Sequence, residues 1–177
     1  MSRKERPLFT VIIDTREQAA YRFGAPHRRE LEDGGVIVSG LEEGDYGCML
    51  DGELLPVRIE RKSLSDLYGV VGNGRGRFAG DRKDGMYRDS EESGVWKPCE
   101  LERLRKFKSY LVIEATADQV RAGFERSKIS GEAAFASVIC WACKYNISPI
   151  FAGSWRTGNA ICTRLLEEFA IHYKEAQ

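Results

Sequence analysis

Four charged side chains in the first half of the chain have the types and spacing of a site for a divalent cation. Asp45 follows a glycine, and fifteen residues later Glu60 lies two positions before Lys62. A further carboxylate, Asp14, ends an apolar run near the start of the chain. Magnesium takes oxygen ligands from one or two carboxylates, keeps several waters and bridges to substrate phosphates. A lysine beside such carboxylates therefore points to chemistry on a phosphate group.

The segments that carry Asp45 and Glu60 are predicted to form one hairpin. Residues 45–50 have the pattern of a strand, residues 51–53 (Asp-Gly-Glu) are a turn signal, and residues 57–62 alternate between apolar and charged side chains. A hairpin places the start of its first strand beside the end of its second. The carboxylates of Asp45 and Glu60 should therefore meet across the pair.

Strand side chains alternate between two faces, so Glu60 and Lys62 should project from one face, roughly 6.5–7 Å apart along the strand. The alternative is that Arg58, Glu60 and Lys62 form the solvated outer face of an ordinary strand. Asp14 argues against that alternative, because residues 8–13 form a run of strand formers that ends directly at its carboxylate. Sites in open α/β sheets tend to lie at strand ends.

These separated segments together resemble the nuclease domain of the XPF family of structure-specific endonucleases. The family's signature is Gly-Asp, a variable spacer, then Glu-Arg-Lys-x-x-x-Asp, and its fixed letters run here from Gly44 to Asp66. The resemblance also includes Ile-Ile-Asp-Thr-Arg-Glu at 12–17 and Tyr-Leu-Val-Ile-Glu at 110–114, and it extends from about Leu8 to at least Phe151. It implies an α/β protein with a restriction-endonuclease-like mixed β-sheet flanked by helices, and metal-dependent cleavage of DNA phosphodiesters.

The resemblance assigns roles to the central motif. Asp45 and Glu60 would be the metal ligands, with the backbone carbonyl of Arg61 close to the same ion, and Lys62 would lie by the attacking water and the scissile phosphate. The expected cation is Mg²⁺, for which Mn²⁺ should substitute. Such an ion lowers the pKa of bound water, and a lysine stabilises developing negative charge. Closely packed carboxylates have raised pKa values without metal, so cation binding and ionisation should be coupled.

The same resemblance assigns further residues around this centre. Asp14 and Glu17 would complete the acidic cluster, and Asp66 would lie on the following helix and orient basic side chains. Arg16 matches the family's arginine and is either a phosphate contact or the partner of a nearby carboxylate. The predicted catalytic set is Asp14, Glu17, Asp45, Glu60, Lys62 and Asp66.

A glycine-rich segment at residues 69–78 follows the central motif. It lacks the Gly-Lys-Ser/Thr of a nucleotide-binding loop. We interpret it as a loop whose backbone approaches DNA and whose Arg75 and Arg77 contact phosphates; the alternative is a mobile surface loop. Residues 79–98 then depart from the family pattern and are predicted to be an inserted, flexible loop. The basic side of a helix predicted at 100–108 either flanks a DNA path or is a solvated face.

Composition and length limit the remaining possibilities. The 177 residues are 42% hydrophobic, which suits a single domain over residues 1–177 without the helix-hairpin-helix or helicase domains of many relatives. No apolar stretch would span a membrane and no signal peptide is evident, so we expect an intracellular protein. The net charge is zero, so basic residues must be segregated on the surface for DNA binding.

The cysteines and the C-terminal helices each allow two interpretations. Cys140-x-x-Cys143 has the spacing of half a zinc or redox site, but with no second pair we expect reduced, buried thiols. A helix at 132–145 carries two apolar stripes, and a closing helix at 159–173 should bury Ile161, Leu165, Phe169 and Tyr173. The stripes are consistent with a homodimer formed through these helices, or with a deep core.

Two functions follow from these residues. The first is a Mg²⁺-dependent DNA endonuclease that acts at branched DNA or at single/double-strand junctions. The second is a catalytically silent DNA-binding or scaffolding subunit of a nuclease complex. The first is favoured because silent relatives generally lose the acidic residues or the lysine, and this chain keeps them.

Overall fold

The apolar runs of the sequence form the strands of one mixed sheet in the computed structural model, which describes residues 9–23, 35–90 and 94–176. The strands in these ranges are β1 (Phe9–Asp14), β2 (Val36–Ser39), β3 (Tyr46–Leu50), β4 (Glu53–Leu54), β5 (Val57–Lys62), β6 (Met86–Arg88), β7 (Trp96–Pro98), β8 (Lys108–Ile113) and β9 (Ser148–Phe151). The helices are α1 (Leu64–Val71), α2 (Arg75–Ala79), α3 (Glu100–Leu104), α4 (Ala117–Ala122), α5 (Gly131–Tyr145) and α6 (Trp155–Glu175).

The main sheet has the strand order β2-β1-β3-β5-β8-β9, with β4 beside β3. The pairs β1–β2, β5–β8 and β8–β9 are parallel, whereas β3 runs antiparallel to both β1 and β5. Parallel neighbours need a long crossover, and helices supply it between β5 and β8 and between β8 and β9. The predicted α/β fold with a mixed, helix-flanked sheet is confirmed.

The predicted hairpin forms where the turn signal lies. Leu50 pairs with Glu53, and the two residues between them, Asp51 and Gly52, have φ values of 50° and 83°. Positive φ at both central positions is the backbone of the two-residue hairpin turn that Asp-Gly favours. After β4 the chain continues into β5, and Tyr46 faces Ile59 across the pair.

The two faces of the sheet bury different halves of the core. One face packs under α6 and includes Val57, Ile59 and Val112, while the other packs under α1 to α5 and includes Leu111 and Ile113. The alternation of β5 and β8 between these faces is the period-two pattern of the sequence. Since both faces are covered, the charged side of β5 is not a solvated face.

Arg58 illustrates this burial. Its side chain is only 3% exposed, its guanidinium lies 4.2 Å from the centre of the Phe107 ring, and it donates hydrogen bonds to the carbonyls of Leu55 and Val57. A buried guanidinium is tolerated when carbonyl oxygens and an aromatic face replace water.

The last helix differs in detail from its prediction. The residues of α6 that reach the core lie one position after, or before the start of, the predicted stripe, and most of them are small: Gly158, Cys162, Leu166 and Ala170. The predicted inner stripe, which starts at Ile161, is only half-buried. A Cβ on Gly158 would lie 2.3 Å from the hydroxyl of Tyr21, so glycine is what lets α6 approach the sheet so closely. Because α6 approaches through this row of buried residues, the larger side chains of the predicted stripe lie at the side of the helix, where they are half-buried.

The prediction of buried thiols holds for three cysteines and is wrong for two. Cys48, Cys99 and Cys162 are buried, whereas Cys140 and Cys143 are exposed on α5, and all five are free thiols. Only one of the two apolar stripes of α5 is buried, that of Ala134, Val138, Trp141 and Tyr145; Ile139 on the other stripe is 44% exposed.

The segment at 79–98 contains regular structure in its described part. Strands β6 and β7 form a separate antiparallel pair, and the guanidinium of Arg82 lies 4.8 Å from the Trp96 ring centre. The prediction that this segment is an inserted, flexible loop stays a prediction. Within the described ranges, no helix has the length and apolar character needed to cross a bilayer.

Candidate active site

Backbone hydrogen bonds bring the three predicted acidic segments together at one edge of β1, β3 and β5. The Asp45 amide donates to the carbonyl of Ile59 at 2.9 Å, and the Asp14 amide donates to the carbonyl of Asp45 at 2.9 Å. The carboxylate of Asp45 then accepts a hydrogen bond of 2.7 Å from the Arg61 amide. The main chain therefore joins Asp14, Asp45 and the end of β5 that carries Glu60, the meeting of Asp45 and Glu60 having been predicted from the hairpin and Asp14 from its place at a strand end.

These segments line a cleft of about 180 Å³. Its lining combines carboxylates with basic side chains: Asp14, Arg16, Glu43, Gly44, Asp45, Glu60, Lys62, Arg77, Glu100 and Arg103. Most of the predicted site therefore faces this one cleft. Glu17, Asp66 and Arg75 are not among the lining residues. The backbone contact of Arg61 with the site is made by its amide, and the predicted role of its carbonyl stays a prediction.

Lys62 lies between two carboxylates. Its ammonium group forms an ion pair with Glu60 and lies 3.9 Å from Oε1 of Glu100, and it lies 4.9 Å from the centre of the Phe78 ring. Burial alone would lower the pKa of Lys62, but Glu60 and Glu100 outweigh burial and raise it above its ordinary value. Lys62 is therefore a fixed positive charge in the cleft.

Asp45 and Glu60 are held where ionisation is costly. Burial is the largest cause that raises the pKa of each, and the second cause is a neighbouring carboxylate: Glu60 for Asp45, and Glu100 for Glu60. Among the described residues, no ion pair joins Asp45 to a basic side chain. The cleft therefore holds more carboxylate than its cations neutralise, which is the condition under which a divalent cation binds and ionises the group.

Asp14 is fully engaged by nitrogen donors. It is 2% exposed and accepts hydrogen bonds from Nε of Arg16 at 2.6 Å, from the Arg16 amide at 2.8 Å and from the Leu41 amide at 2.7 Å. Burial would raise its pKa, but these hydrogen bonds outweigh burial and lower it. For Arg16 the structure shows the ion-pair alternative, although the side chain is 64% exposed at the cleft rim.

Glu17 and the Arg61 side chain form a separate cluster. The Arg61 guanidinium lies 3.3 Å from Glu17 Oε1 and 3.0 Å from Glu114 Oε1. All three side chains are at most 10% exposed. Because Arg61 alternates with Glu60 and Lys62 along β5, its side chain leaves the strand on the other face.

The contacts of Asp66 are those of a helix cap. Asp66 is in the first turn of α1, its carboxylate accepts from the Ser63 hydroxyl at 2.7 Å, and its amide donates back to that hydroxyl at 3.1 Å. This reciprocal pair resembles a capping box and satisfies an amide that has no partner inside the helix.

Two carboxylates of the cleft, Glu43 and Glu100, were missed from the sequence, and Arg103 was predicted only as part of the basic side of a helix that either flanks a DNA path or is solvated. Glu100 begins α3, Arg103 lies one turn later, and Arg103 forms an ion pair with the buried Glu43. The clue available in the sequence was the charged start of a helix directly after the irregular segment. Nothing local indicated that this helix brings Glu100 beside Lys62 of β5, about forty residues earlier in the chain.

Two carboxylates form the donor set for a cation. Among the described residues, no group of three or more His, Cys, Asp or Glu side chains is arranged to hold a metal ion. Asp45 and Glu60 nevertheless suit Mg²⁺, which is bound by one or two carboxylates and completes its shell with water and substrate oxygens. The under-neutralised charge at Asp45 is the observation that supports this fit.

Comparison with known protein families finds none that matches, and no curated protein matches the chain in sequence. Solved structures do match in fold. XPF from Aeropyrum pernix is 17% identical with a TM-score of 0.55, and the match covers 93% of this chain and 65% of that one. XPF from Aeropyrum pernix in complex with DNA is 19% identical with a TM-score of 0.56, covering 94% and 66%. The chain thus spans about two thirds of these structures, and the likeness establishes the fold.

Proposed function

We propose that the chain is a metal-dependent DNA endonuclease that hydrolyses phosphodiester bonds at branched DNA or at single/double-strand junctions. The observation that carries this proposal is the juxtaposition of Asp45 and Glu60 beside a protonated Lys62 in an open cleft. The fold shared with XPF, including XPF in complex with DNA, supports the same assignment.

Each group in the cleft has a chemical task in this reaction. A bound Mg²⁺ or Mn²⁺ would neutralise the phosphoryl oxygens and lower the pKa of a coordinated water. Asp45 and Glu60 would hold that cation, and the Arg61 amide, which donates to the Asp45 carboxylate, fixes its orientation. Lys62 supplies a preorganised positive charge where negative charge develops on the phosphate.

The rim of the cleft is suited to the DNA backbone. Arg16 and Arg77 are exposed, and Arg103 lies beside them in the lining. Guanidinium groups bind phosphate through paired hydrogen bonds, which position the backbone without reading sequence. Arg16 and Arg103 each also pair with a carboxylate of the cleft, so a bound phosphate would share these guanidinium groups with Asp14 and Glu43.

A homodimer is part of this proposal. The apolar stripe of α5 that the core leaves uncovered includes the exposed Ile139, and the large side chains on the flank of α6 are half-buried. Sedimentation should show a dimer at micromolar concentration, and Ile139→Asp should yield a monomer. A parent chain that stays monomeric at high concentration would remove the dimer from the proposal.

A cleavage assay separates the endonuclease from a silent DNA-binding subunit. Flap, fork, nicked and linear DNA are incubated with the chain in Mg²⁺, Mn²⁺ or chelator. The proposal predicts endonucleolytic products on branched DNA with either metal and none with chelator or in Asp45→Asn. Binding without cleavage in any metal would establish the silent alternative.

A further inference from the structure

A groove separate from the candidate active site is larger than the cleft that holds that site. It has a volume of about 510 Å³ and lies between α1 with its following loop and the loop that joins α4 to α5. A volume in this range is typical of sites for small organic groups. We propose that this groove holds the single-stranded arm of the DNA substrate next to the cleavage site, an inference that rests on the proposed nuclease function.

The groove is adjacent to the cleft because two chain segments connect them. Ser65 lines the groove three residues after Lys62, and Asn73 lines it four residues before Arg77. An extended chain spans at most about 3.6 Å per residue, so these pairs of Cα atoms are within about 11 Å and about 14 Å. The groove and the cleft are therefore neighbours, close enough for one DNA strand to contact both.

The charge of the groove suits a nucleic-acid backbone. Arg126 and Lys128 are exposed on its outer wall, and its described lining residues include no carboxylate. The loop that carries them is ordered by its own hydrogen bonds: the Ser127 amide donates to the Phe124 carbonyl at 2.8 Å, and the Ser127 hydroxyl accepts from the Ile129 amide at 3.1 Å. Two phosphate-binding side chains are thus presented from one defined turn.

The ring of Phe124 and the absence of a side chain at Gly69 make the groove suitable for a nucleic-acid base. Phe124 is partly exposed, and its ring centre lies 5.7 Å from that of Tyr68, whose hydroxyl is fixed to the Val120 carbonyl at 2.6 Å. A Cβ added to Gly69 would meet nothing within 4 Å beyond its own helix, so the inner wall is open there. Aromatic rings stack on the bases of single strands, whereas paired bases are already stacked on one another. These features favour a single strand over a duplex.

The open position at Gly69 provides a way to fill the groove. Gly69 lies in α1, where its φ is not in the left-handed region, so Gly69→Leu should fold normally and occupy the space of a base. Gly69→Ala is the matched control, since it leaves most of the volume free. Arg126→Ala/Lys128→Ala removes the two charges, and Arg156→Ala/Lys174→Ala removes two exposed charges of α6 as its control.

The test is binding of labelled DNA in chelator, measured by fluorescence anisotropy with a junction that carries a single-stranded arm and with the same junction without it. Gly69→Leu and Arg126→Ala/Lys128→Ala should each weaken binding of the arm-bearing DNA by at least about fivefold relative to the armless DNA, the size of one lost base stack. The double charge variant should also reduce the salt dependence of log K by about 1.4, since each single-strand phosphate contact contributes about 0.7.

The outcomes are distinct from those of the cleavage assay. If both DNAs lose affinity equally, or neither does, the groove assignment is wrong while the nuclease proposal can still stand on cleavage. If the arm-specific loss appears but no DNA is cleaved in any metal, the groove binds DNA in a silent subunit. A parent chain that binds neither DNA overturns both proposals.

Discussion

The tripeptide Glu60-Arg61-Lys62 takes part in two charged clusters, one on each face of β5, that differ in how well their charges are paired. On one face of β5, Glu60 and Lys62 open into the cleft with Asp45 and Glu100; on the other face, Arg61 lies between Glu17 and Glu114. The Arg61 cluster is held by three side chains that are each at most 10% exposed. The cleft instead concentrates carboxylates whose pKa values are raised by burial and then by one another.

The difference between the clusters separates structural from chemical use of charge. Around Arg61, the guanidinium lies within 3.3 Å of both carboxylates, and its own pKa is raised because Glu17 and Glu114 outweigh the effect of burial. In the cleft, one ammonium group serves several carboxylates, burial and mutual repulsion favour the protonated form of Asp45 and Glu60, and a further cation would favour their ionised form. The first cluster should therefore matter for stability, and the second for reactivity.

The largest expected effect is on cleavage. Asp45→Asn keeps the acceptor for the Arg61 amide but removes a metal-binding charge, so cleavage of branched DNA should fall by about 10²–10³-fold or more. Glu114→Gln changes the partner of Arg61 on the opposite face of the sheet, and its cleavage rate should stay within a few-fold of that of the parent. Initial rates in Mg²⁺ measure both, and equal losses would remove the distinction between the clusters.

The next largest effect is on stability, and here the Arg61 cluster should matter more than the cleft. Arg61→Met leaves Glu17 and Glu114 buried without their cation, which should lower the free energy of unfolding by about 3–5 kcal/mol. Arg121→Ala, which breaks the exposed pair with Glu132, should cost less than about 1 kcal/mol. Urea denaturation compares them, and a small effect of Arg61→Met would show that its cluster is not the structural one.

The pH dependence of stability distinguishes the clusters further. In the unfolded chain Asp45 ionises near pH 4, whereas in the folded chain burial and Glu60 raise its pKa. The folded state therefore retains a proton that the unfolded state has lost, and stability falls as pH rises through the window between the two pKa values.

In chelator, Asp45→Asn should be more stable than the parent above this window, by on the order of 1 kcal/mol, and equally stable below about pH 4. Thermal melts across pH measure the difference, with Glu114→Gln as the control. A parent chain that gains stability on the alkaline side would contradict the raised pKa.

The smallest effect concerns Asp66, which was predicted to be catalytic. If the role of Asp66 is its capping contact with Ser63, then Asp66→Ala and Ser63→Ala should each lower the free energy of unfolding by about 0.5–2 kcal/mol. The two variants should then also have equal rates of cleavage. Chemical denaturation and rates on the same DNA provide the comparison. Loss of cleavage in Asp66→Ala alone would return Asp66 to the reacting centre.

The part of the site that the sequence predicted is the part that local rules determine. The Asp-Gly turn sets the register of β3 against β4, and β5 pairs with β3 two residues out of that register, so that Tyr46 faces Ile59 and Asp45 lies beside the Glu60 end of β5. The alternation of β5 assigns Glu60 and Lys62 to one face. The turn and the alternation act within about twenty residues, whereas the two-residue shift between β4 and β5 is not encoded in the turn.

The parts that escaped prediction depend on how distant elements pack. Glu100 reaches the cleft because α3 packs against α2 and α5 and brings its first residue beside Lys62, and Glu17 lies outside the cleft lining, paired with Arg61 on the other face of β5. The buried stripe of α6 is displaced from its predicted line because Gly158 lets the helix approach Tyr21. Cys140 and Cys143 are exposed because only one stripe of α5 is covered within the chain. Periodicity alone does not reveal which stripe a neighbour covers.

Cation binding tests the central claim most directly. Calorimetric titration of the metal-free chain with MnCl₂ should give binding in the parent and in Glu114→Gln, with an affinity that rises with pH as Asp45 and Glu60 lose their protons. Asp45→Asn should bind at least about tenfold more weakly. Equal affinity in the parent and Asp45→Asn, or no binding to the parent above pH 8, would contradict the account.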